Sequence, residues 1–370
     1  MAGAKSLTRL LKAGLCCMAM LGVTAEAQEV PQFRYDPAWP KLPLPNAWTF
    51  EGVTGLTVDA DDVVWVLQRP NDFDNDSTEN YASLNPPTAL CCRKPPAVMA
   101  FDPEGNLVHH WNTHQGHMIL VDGAERVWVG SDTFRMYSKE GDLLEEFGNR
   151  APEGIGEAVG EEHDPGSPFL VGRVLGAAFD EDAREIFIVD SYLEGRVVVY
   201  GMDPPYEFKR GWGAYGKPLK DISTTHRDPY PYDPAAPPPE DFVGHVTIGI
   251  ADDGEVYVAD RVADRIQVFT KQGEFLREFR VAPETLDRGS TGGIAFTQDP
   301  GQRYLLVPDV MNNVVWIVER KTGETLSHIG FFGRSGGGFH WLHVAATDSY
   351  GNLFTGELEG KRIQKFALIN

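Results

Sequence analysis

Residues 244–280, GHVTIGIADDGEVYVADRVADRIQVFTKQGEFLREFR, decide the fold. They read as four short extended runs separated by turns. Residues 245–250 are the first run, and Ala251-Asp252-Asp253-Gly254 reverses the chain. Residues 255–259 alternate apolar and polar. A connector at 260–264 leads to Ile266-Gln267-Val268-Phe269, and Lys271-Gln272-Gly273 turns into 275–279. Alternation with a period of two, bounded by Asp and Gly, is the hairpin pattern, and it predicts a four-stranded meander. One such sheet cannot bury its own faces, so it must stack on copies of itself.

The copies are present. Residues 53–68 (VTGLTVDADDVVWVLQ) open the first, with later runs at 98–101 and 107–111. The second opens with HMILVDGAERVWVGS at 117–131 and continues at 134–137 and 143–147. The third opens with VLGAAFDEDAREIFIVD at 174–190 and continues at 196–200 and 206–212. The opening stretch is the fourth. GIAFTQDPGQRYLLVP at 293–308 starts the fifth, followed by 314–319 and 325–329. HVAATDSYGNLFTGE at 343–357 starts the sixth, which ends after one further run at 362–366. Trp65, Trp128, Phe187, Tyr257, Leu305 and Phe354 mark equivalent second strands, spaced by 63, 59, 70, 48 and 49 residues. Insertions account for the uneven spacing: an Asp/Asn/Pro-rich one at 70–96, a Gly/Glu-rich one at 149–168 and a Pro-rich one at 217–241. Four strands per unit is the propeller-blade pattern. The expectation is therefore all-β: a single six-bladed β-propeller over residues 53–370. Residues 28–52 should form a strap and supply the strand missing from the sixth blade, with Trp48-Thr49-Phe50 as the candidate.

Composition narrows the function. The formal net charge of −21 argues against a nucleic-acid partner, which needs clustered Lys and Arg. Lys5, Arg9 and Lys12 precede a short apolar run at 13–23, and Ala25-Glu26-Ala27 fits a small-x-small cleavage site. Residues 1–27 are thus expected to be a signal peptide cleaved near Ala27, and the mature chain periplasmic or secreted. No later run is apolar enough to span a membrane. Cys91 and Cys92 give no C-x-x-C motif; they could close a vicinal disulfide or pair between chains. Asp72-Phe73-Asp74-Asn75-Asp76 lacks the Gly and Glu of a calcium loop and reads as a solvated acidic loop. No nucleophile elbow, P-loop or dinucleotide fingerprint occurs.

Three histidines share one register. His117, His245 and His343 open the first strands of blades two, four and six, and precede the second-strand markers by 11, 12 and 11 residues. Blades one, three and five carry Thr54-Gly55, Leu175-Gly176 and Gly292-Gly293 there. First strands line a propeller's channel, and alternate blades are a third of a turn apart. Three imidazoles would then face one point on the axis, a set suited to Zn²⁺ or to another divalent transition metal. A single histidine would more often be a satisfied polar residue; three in register, with none between, favour a metal. The other histidines fall outside the register, His340 least clearly. At the second-strand tips, Arg69 and Arg261 could hold a carboxylate, and Tyr192 could serve as a base near a cation.

At these residues the chain resembles the NHL-repeat propellers, most clearly in ADRVADRIQVF (259–269) and EGKRIQKF (359–366). Within them it resembles the peptidyl-α-hydroxyglycine α-amidating lyases over roughly residues 53–366. The family's zinc histidines match His117, His245 and His343. Its channel arginines match Arg69 and Arg261, and its catalytic tyrosine matches Tyr192 in DSYLEGR. The resemblance implies zinc as Lewis acid, Tyr192 taking the carbinol proton, and Arg69 and Arg261 holding the carboxylate. The C–N bond then breaks to an amide and glyoxylate. A small molecule or a peptide C-terminus would be the substrate. Val344 stands where the family has an Asp that helps to hold a structural calcium, and Trp341 where it has Met, so the calcium does not carry over. Cys91-Cys92 does not reproduce the family's disulfides. A propeller lactone hydrolase, with an oxygen-ligated calcium, and a non-enzymatic binding propeller are the alternatives. Oligomeric state is left open.

Overall fold

The computed structural model describes residues 29–70, 81–114, 116–131, 133–147, 173–192, 195–223 and 230–370, with Met1 and Gly166. The expected signal segment beyond Met1, the acidic loop at 72–76, His163 and His226 lie outside these. The described residues form six antiparallel four-stranded blades in a ring. Blade one is β2–β5 (Val53–Val58, Val64–Gln68, Val98–Phe101, Leu107–Trp111). Blade two is β6–β9 (Met118–Val121, Val127–Gly130, Phe134–Tyr137, Leu143–Phe147). Blade three is β10–β13 (Arg173–Asp180, Glu185–Ser191, Arg196–Gly201, Phe208–Trp212). Blade four is β14–β17 (Val246–Ile250, Val256–Asp260, Arg265–Phe269, Phe275–Arg280). Blade five is β18–β21 (Ala295–Phe296, Tyr304–Asp309, Val314–Glu319, Thr325–Ile329). Blade six is β22–β24 (Leu342–Thr347, Leu353–Glu357, Arg362–Leu368) plus β1 (Phe33–Asp36).

The ring closes through β1, which pairs antiparallel with β24 from Phe33↔Leu368 to Asp36↔Lys365. The closing strand is therefore Phe33–Asp36, and not Trp48-Thr49-Phe50 as expected. The reason lies in side chains. In FRYD, Phe33 and Tyr35 alternate onto the core between blades five and six, and Tyr35 meets Phe366 at 6.0 Å. Trp48 instead forms a parallel bridge to Arg93, and Phe50 packs on Phe101 of blade one. The strap between them buries Trp39 against Phe354 and Phe101.

Each blade buries both faces against its neighbours. Six apolar clusters join blades one and two, two and three, and so on around to six and one. The second strands are therefore buried along their whole length and read as near-continuous apolar runs such as VWVLQ and VYVAD. All six marker residues are fully buried, and burying a side chain such as Phe187 contributes about 1.5–3 kcal/mol. Ion pairs tie second strands to third strands: Arg196–Asp190 at 2.8 Å and Arg265–Asp260 at 2.9 Å are buried, and at 2.6 Å the half-buried Arg362 meets the buried Glu357. Cys91 and Cys92 are unbridged, with sulfurs 2.7 Å apart. Among the described residues no helix is long and apolar enough to cross a membrane.

Candidate metal centre

A channel runs between the inner strands of all six blades. Its wall includes Thr54, His117, Leu175, His245, Gly292 and His343. Each histidine is fixed by its place at a strand start. The backbone N–H of His117 donates to Gly130 at 2.7 Å, and the carbonyl of His245 accepts from Arg261 at 3.0 Å. His343 occupies a bulge between Leu342 and Val344. Bulges re-aim side chains beside functional sites, and here the extra residue is the histidine itself. Thr54 and Leu175 occupy equivalent bulges in blades one and three.

The three imidazoles converge. One ligand nitrogen from each lies within 4.8 Å of the others. Ring centroids are 5.0 Å apart for His117–His245, 4.9 Å for His117–His343 and 5.7 Å for His245–His343. Among the described residues this is the one group of His, Cys, Asp or Glu with such spacing. The intervening blades make room for it. A Cβ on Gly55 would stand 2.9 Å from the Ile119 nitrogen, and one on Gly176 would stand 3.2 Å from the Ile248 nitrogen. Glycine there lets neighbouring inner strands approach closely enough to bring their histidines to the axis.

The histidines are held neutral. Burial, then the His343 imidazole, then the guanidiniums of Arg69, Arg261 and Arg173 keep His117 well below its usual value. Burial and then Arg261 do the same for His245. His343 is pushed down to about 3 by burial, then by Arg261 and Arg69. Among the described residues both ring nitrogens of His245, and Nδ1 of His117 and of His343, are buried without a hydrogen-bond partner. An orphaned buried imidazole costs about 1–3 kcal/mol. Three together, neutral and converging, fit a nitrogen-ligated divalent ion. Among the described residues no carboxylate lines the channel, so an oxygen-rich calcium site of the lactone-hydrolase kind does not fit them.

Arg69, Arg261 and Tyr192 stand at the same end of the channel. Arg69 follows β3, and its N–H donates to Gly52 at 3.0 Å. Arg261 begins the short 3-10 turn after β15 and is 6% exposed. Tyr192 follows β11, and its N–H donates to Gly244, next to His245, at 3.2 Å. Its ring meets the His245 ring edge-on at 6.3 Å. The Tyr192 backbone is left-handed, φ +63°, an uncommon and costly state for a bulky residue that clusters at functional sites.

Arg173 is a residue the sequence reading missed. It opens β10, pairs in register with Ser191, and places its guanidinium carbon 6.0 Å from the centre of the Tyr192 ring. The available signal was a basic residue directly before the inner strand of blade three. The remaining described histidines stand elsewhere: His109 stacks on Trp65, His110 meets Trp48, His328 meets Trp316, His340 meets Phe332, and His114 is exposed.

No protein-family profile matches the chain, and no curated protein matches it by sequence. Solved structures do match. A structural-genomics protein of unknown function from Bacteroides thetaiotaomicron is 15% identical, with a TM-score of 0.55 over 87% of this chain and 70% of that one. An auxiliary nutrient binding protein from the same organism is 10% identical, with a TM-score of 0.53 over 87% and 70%. A streptogramin B lyase is 13% identical, with a TM-score of 0.50 over 92% and 97%. These similarities establish the propeller fold, a fold found in lyases and in binding proteins alike.

Proposed function

We propose that this chain is an exported, zinc-dependent lyase that cleaves the C–N bond of an α-hydroxyglycine-type carbinolamide to an amide and glyoxylate. The observation that carries the reading is the cluster of His117, His245 and His343, buried, neutral and orphaned within 4.8 Å of one another. The similarity to the α-amidating lyases at Arg69, Tyr192 and Arg261 supplies the reaction, and the leader at residues 1–27 supplies the export.

The three histidines would hold Zn²⁺, which would supply Lewis acidity at the substrate oxygen when bound. Arg69 and Arg261 bind the substrate carboxylate through charge-assisted hydrogen bonds and fix its orientation. The Tyr192 oxygen accepts the carbinol proton. The O–H electrons form the glyoxylate carbonyl as the C–N pair leaves on nitrogen, and the phenol returns the proton to that nitrogen.

The test is elemental analysis of the purified chain together with glyoxylate release from α-hydroxyhippurate. The expected result is about one zinc per chain, with release lost on chelation and restored by Zn²⁺. A chain that takes up no transition metal, or a zinc-loaded chain that releases no glyoxylate, overturns the proposal.

A further inference from the structure

We infer that the groove between the N-terminal strap and blade six is a second binding site, for an aromatic α-amino acid in its zwitterionic form. It lies apart from the channel and stands independently of the lyase reading.

The groove encloses about 660 Å³, within the range of small-ligand sites, and shares no lining residue with the channel. Its strap wall is apolar. Leu42 and Pro43 are exposed there, and Trp48 and Phe50 are half-buried. Trp48 and Phe50 rest one side on blade one, against His110 and Phe101, and line the groove with the other. Backbone bonds on both sides of Trp48 fix this wall. The Arg93 N–H donates to Ala47 at 2.8 Å, and the Thr49 N–H donates to Arg93 at 3.2 Å.

The opposite wall carries four charged side chains of two kinds. Lys361 pairs with Glu51 at 3.0 Å and Arg362 with Glu357 at 2.6 Å, so these charges serve the fold. Arg334 and Glu359 differ. Among the described residues neither the guanidinium of the one nor the carboxylate of the other takes part in an ion pair or a hydrogen bond. Their backbones are nevertheless held. Arg362 donates to the Arg334 carbonyl at 2.6 Å and to that of Gly338 at 2.7 Å, which pins the loop carrying Arg334 to β24. Glu359 stands in the tight turn between β23 and β24, where the Gly360 N–H donates to His340 at 2.8 Å.

Two opposite charges that line one apolar groove without pairing with each other match a ligand that carries both charges itself. A carboxylate fits the Arg334 fork, an ammonium fits Glu359, and an aromatic side chain packs on Trp48, Phe50 and Leu42. A plain carboxylate would meet the like charge of Glu359, and a plain amine that of Arg334. A purely apolar ligand would cover both charges and leave them unpaired. The zwitterion alone satisfies each of these groups.

Calorimetry on the full-length, zinc-loaded chain tests this with L-phenylalanine, 3-phenylpropionate, phenethylamine and L-alanine. Phenylalanine has the ring and both charges, and each of the others lacks one of the three. Phenylalanine is expected to bind about tenfold more tightly than any of them. Glu359→Gln should remove its advantage over 3-phenylpropionate, and Arg334→Gln its advantage over phenethylamine. Neither side chain makes a bond that holds the fold, so both variants should keep the parent's circular-dichroism spectrum and zinc content. Amino acids also chelate zinc, and the variants separate the two events, because binding at the channel metal would survive both substitutions.

The inference is overturned if phenylalanine binds no better than any one of the other three, or if both substitutions leave its affinity within about twofold of the parent's. It fails separately from the lyase reading. A chain that holds no zinc or releases no glyoxylate removes that reading and leaves this one standing, since the groove contains none of the residues of the metal centre.

Discussion

Blades two, four and six differ from blades one, three and five at a single level of the channel. The first set opens its inner strands with an imidazole, the second with Thr54-Gly55, Leu175-Gly176 or Gly292-Gly293. Sterics explain the alternation. Three rings already stand with centroids 4.9 to 5.7 Å apart, so six at one level would overlap. The glycines are as much a part of the centre as the histidines, because they set how closely the inner strands pack. The plain blades carry their candidate site residues at other positions: Arg69 and Tyr192 follow second strands of blades one and three, and Arg173 opens an inner strand. Arg261 breaks the alternation by sitting on a histidine blade, across one hairpin from His245, whose imidazole it helps to keep neutral.

The largest effect is expected of His245→Ala. Its two orphaned nitrogens make it the member with no other partner to satisfy. Zinc content should fall from about one ion per chain to near zero, and glyoxylate release with it. Elemental analysis beside a circular-dichroism spectrum separates metal loss from unfolding. Retained zinc would mean that the histidine blades are not what holds it.

Tyr192→Phe removes a hydroxyl from a plain blade and leaves the three imidazoles in place. Zinc content should stay near one per chain while glyoxylate release falls by about 10²–10⁴-fold, the range of a lost acid–base group. Equal losses of zinc and activity would place Tyr192 among the supports of the metal, not with the chemistry.

Gly55→Ala and Gly176→Ala test the room-making role. The new Cβ would press on backbone in both cases, at 2.9 Å from the Ile119 nitrogen and 3.2 Å from the Ile248 nitrogen. Overpacking of this kind costs about 1–3 kcal/mol, with Gly55 expected at the upper end and Gly176 at the lower. Denaturant midpoints read the loss, and weaker zinc retention should accompany it. Unchanged stability at Gly55 would mean that the inner strands can spread without loss.

The repeat and the histidine register were legible in the sequence for the same reason. Second strands packed on both faces keep their apolar runs, and insertions fall in loops, so counting back from Trp128, Tyr257 and Phe354 reaches each histidine. The closing strand was not legible. FRYD is four residues long, and the two aromatics of Trp48-Thr49-Phe50 carry the same local signal; only the partner strand β24 separates them. Arg173 was missed because a basic residue at a strand start beside a long insertion usually faces solvent. The left-handed turn at Tyr192 was hidden because no glycine or asparagine announces it.

A last comparison concerns the residue just before each third strand. Blades three, four, five and six place Gly195, Asp264, Asn313 and Lys361 there, all with left-handed backbones. Asp264 is the costly choice. It is buried, one oxygen accepts from the Ser290 N–H at 2.7 Å, and the other has no partner among the described residues. Burial pushes its carboxyl up to about 8 from the usual 3.8; Ser290 and Arg280 oppose the rise and Asp309 adds to it. Tyr232, packed on the Val243 cluster beside it, also faces this charge. As pH rises from about 4 to about 8, the unfolded chain releases a proton that the folded chain keeps, so folding stability falls across that window and levels off above it. Asp264→Asn retains the acceptor for Ser290 and does not ionise. It should flatten the decline and add on the order of 1–3 kcal/mol at the alkaline end of the window, with no gain at the acid end. Denaturant titrations across that range read both slopes, and a variant whose slope matches the parent would show that Asp264 is already ionised in the fold.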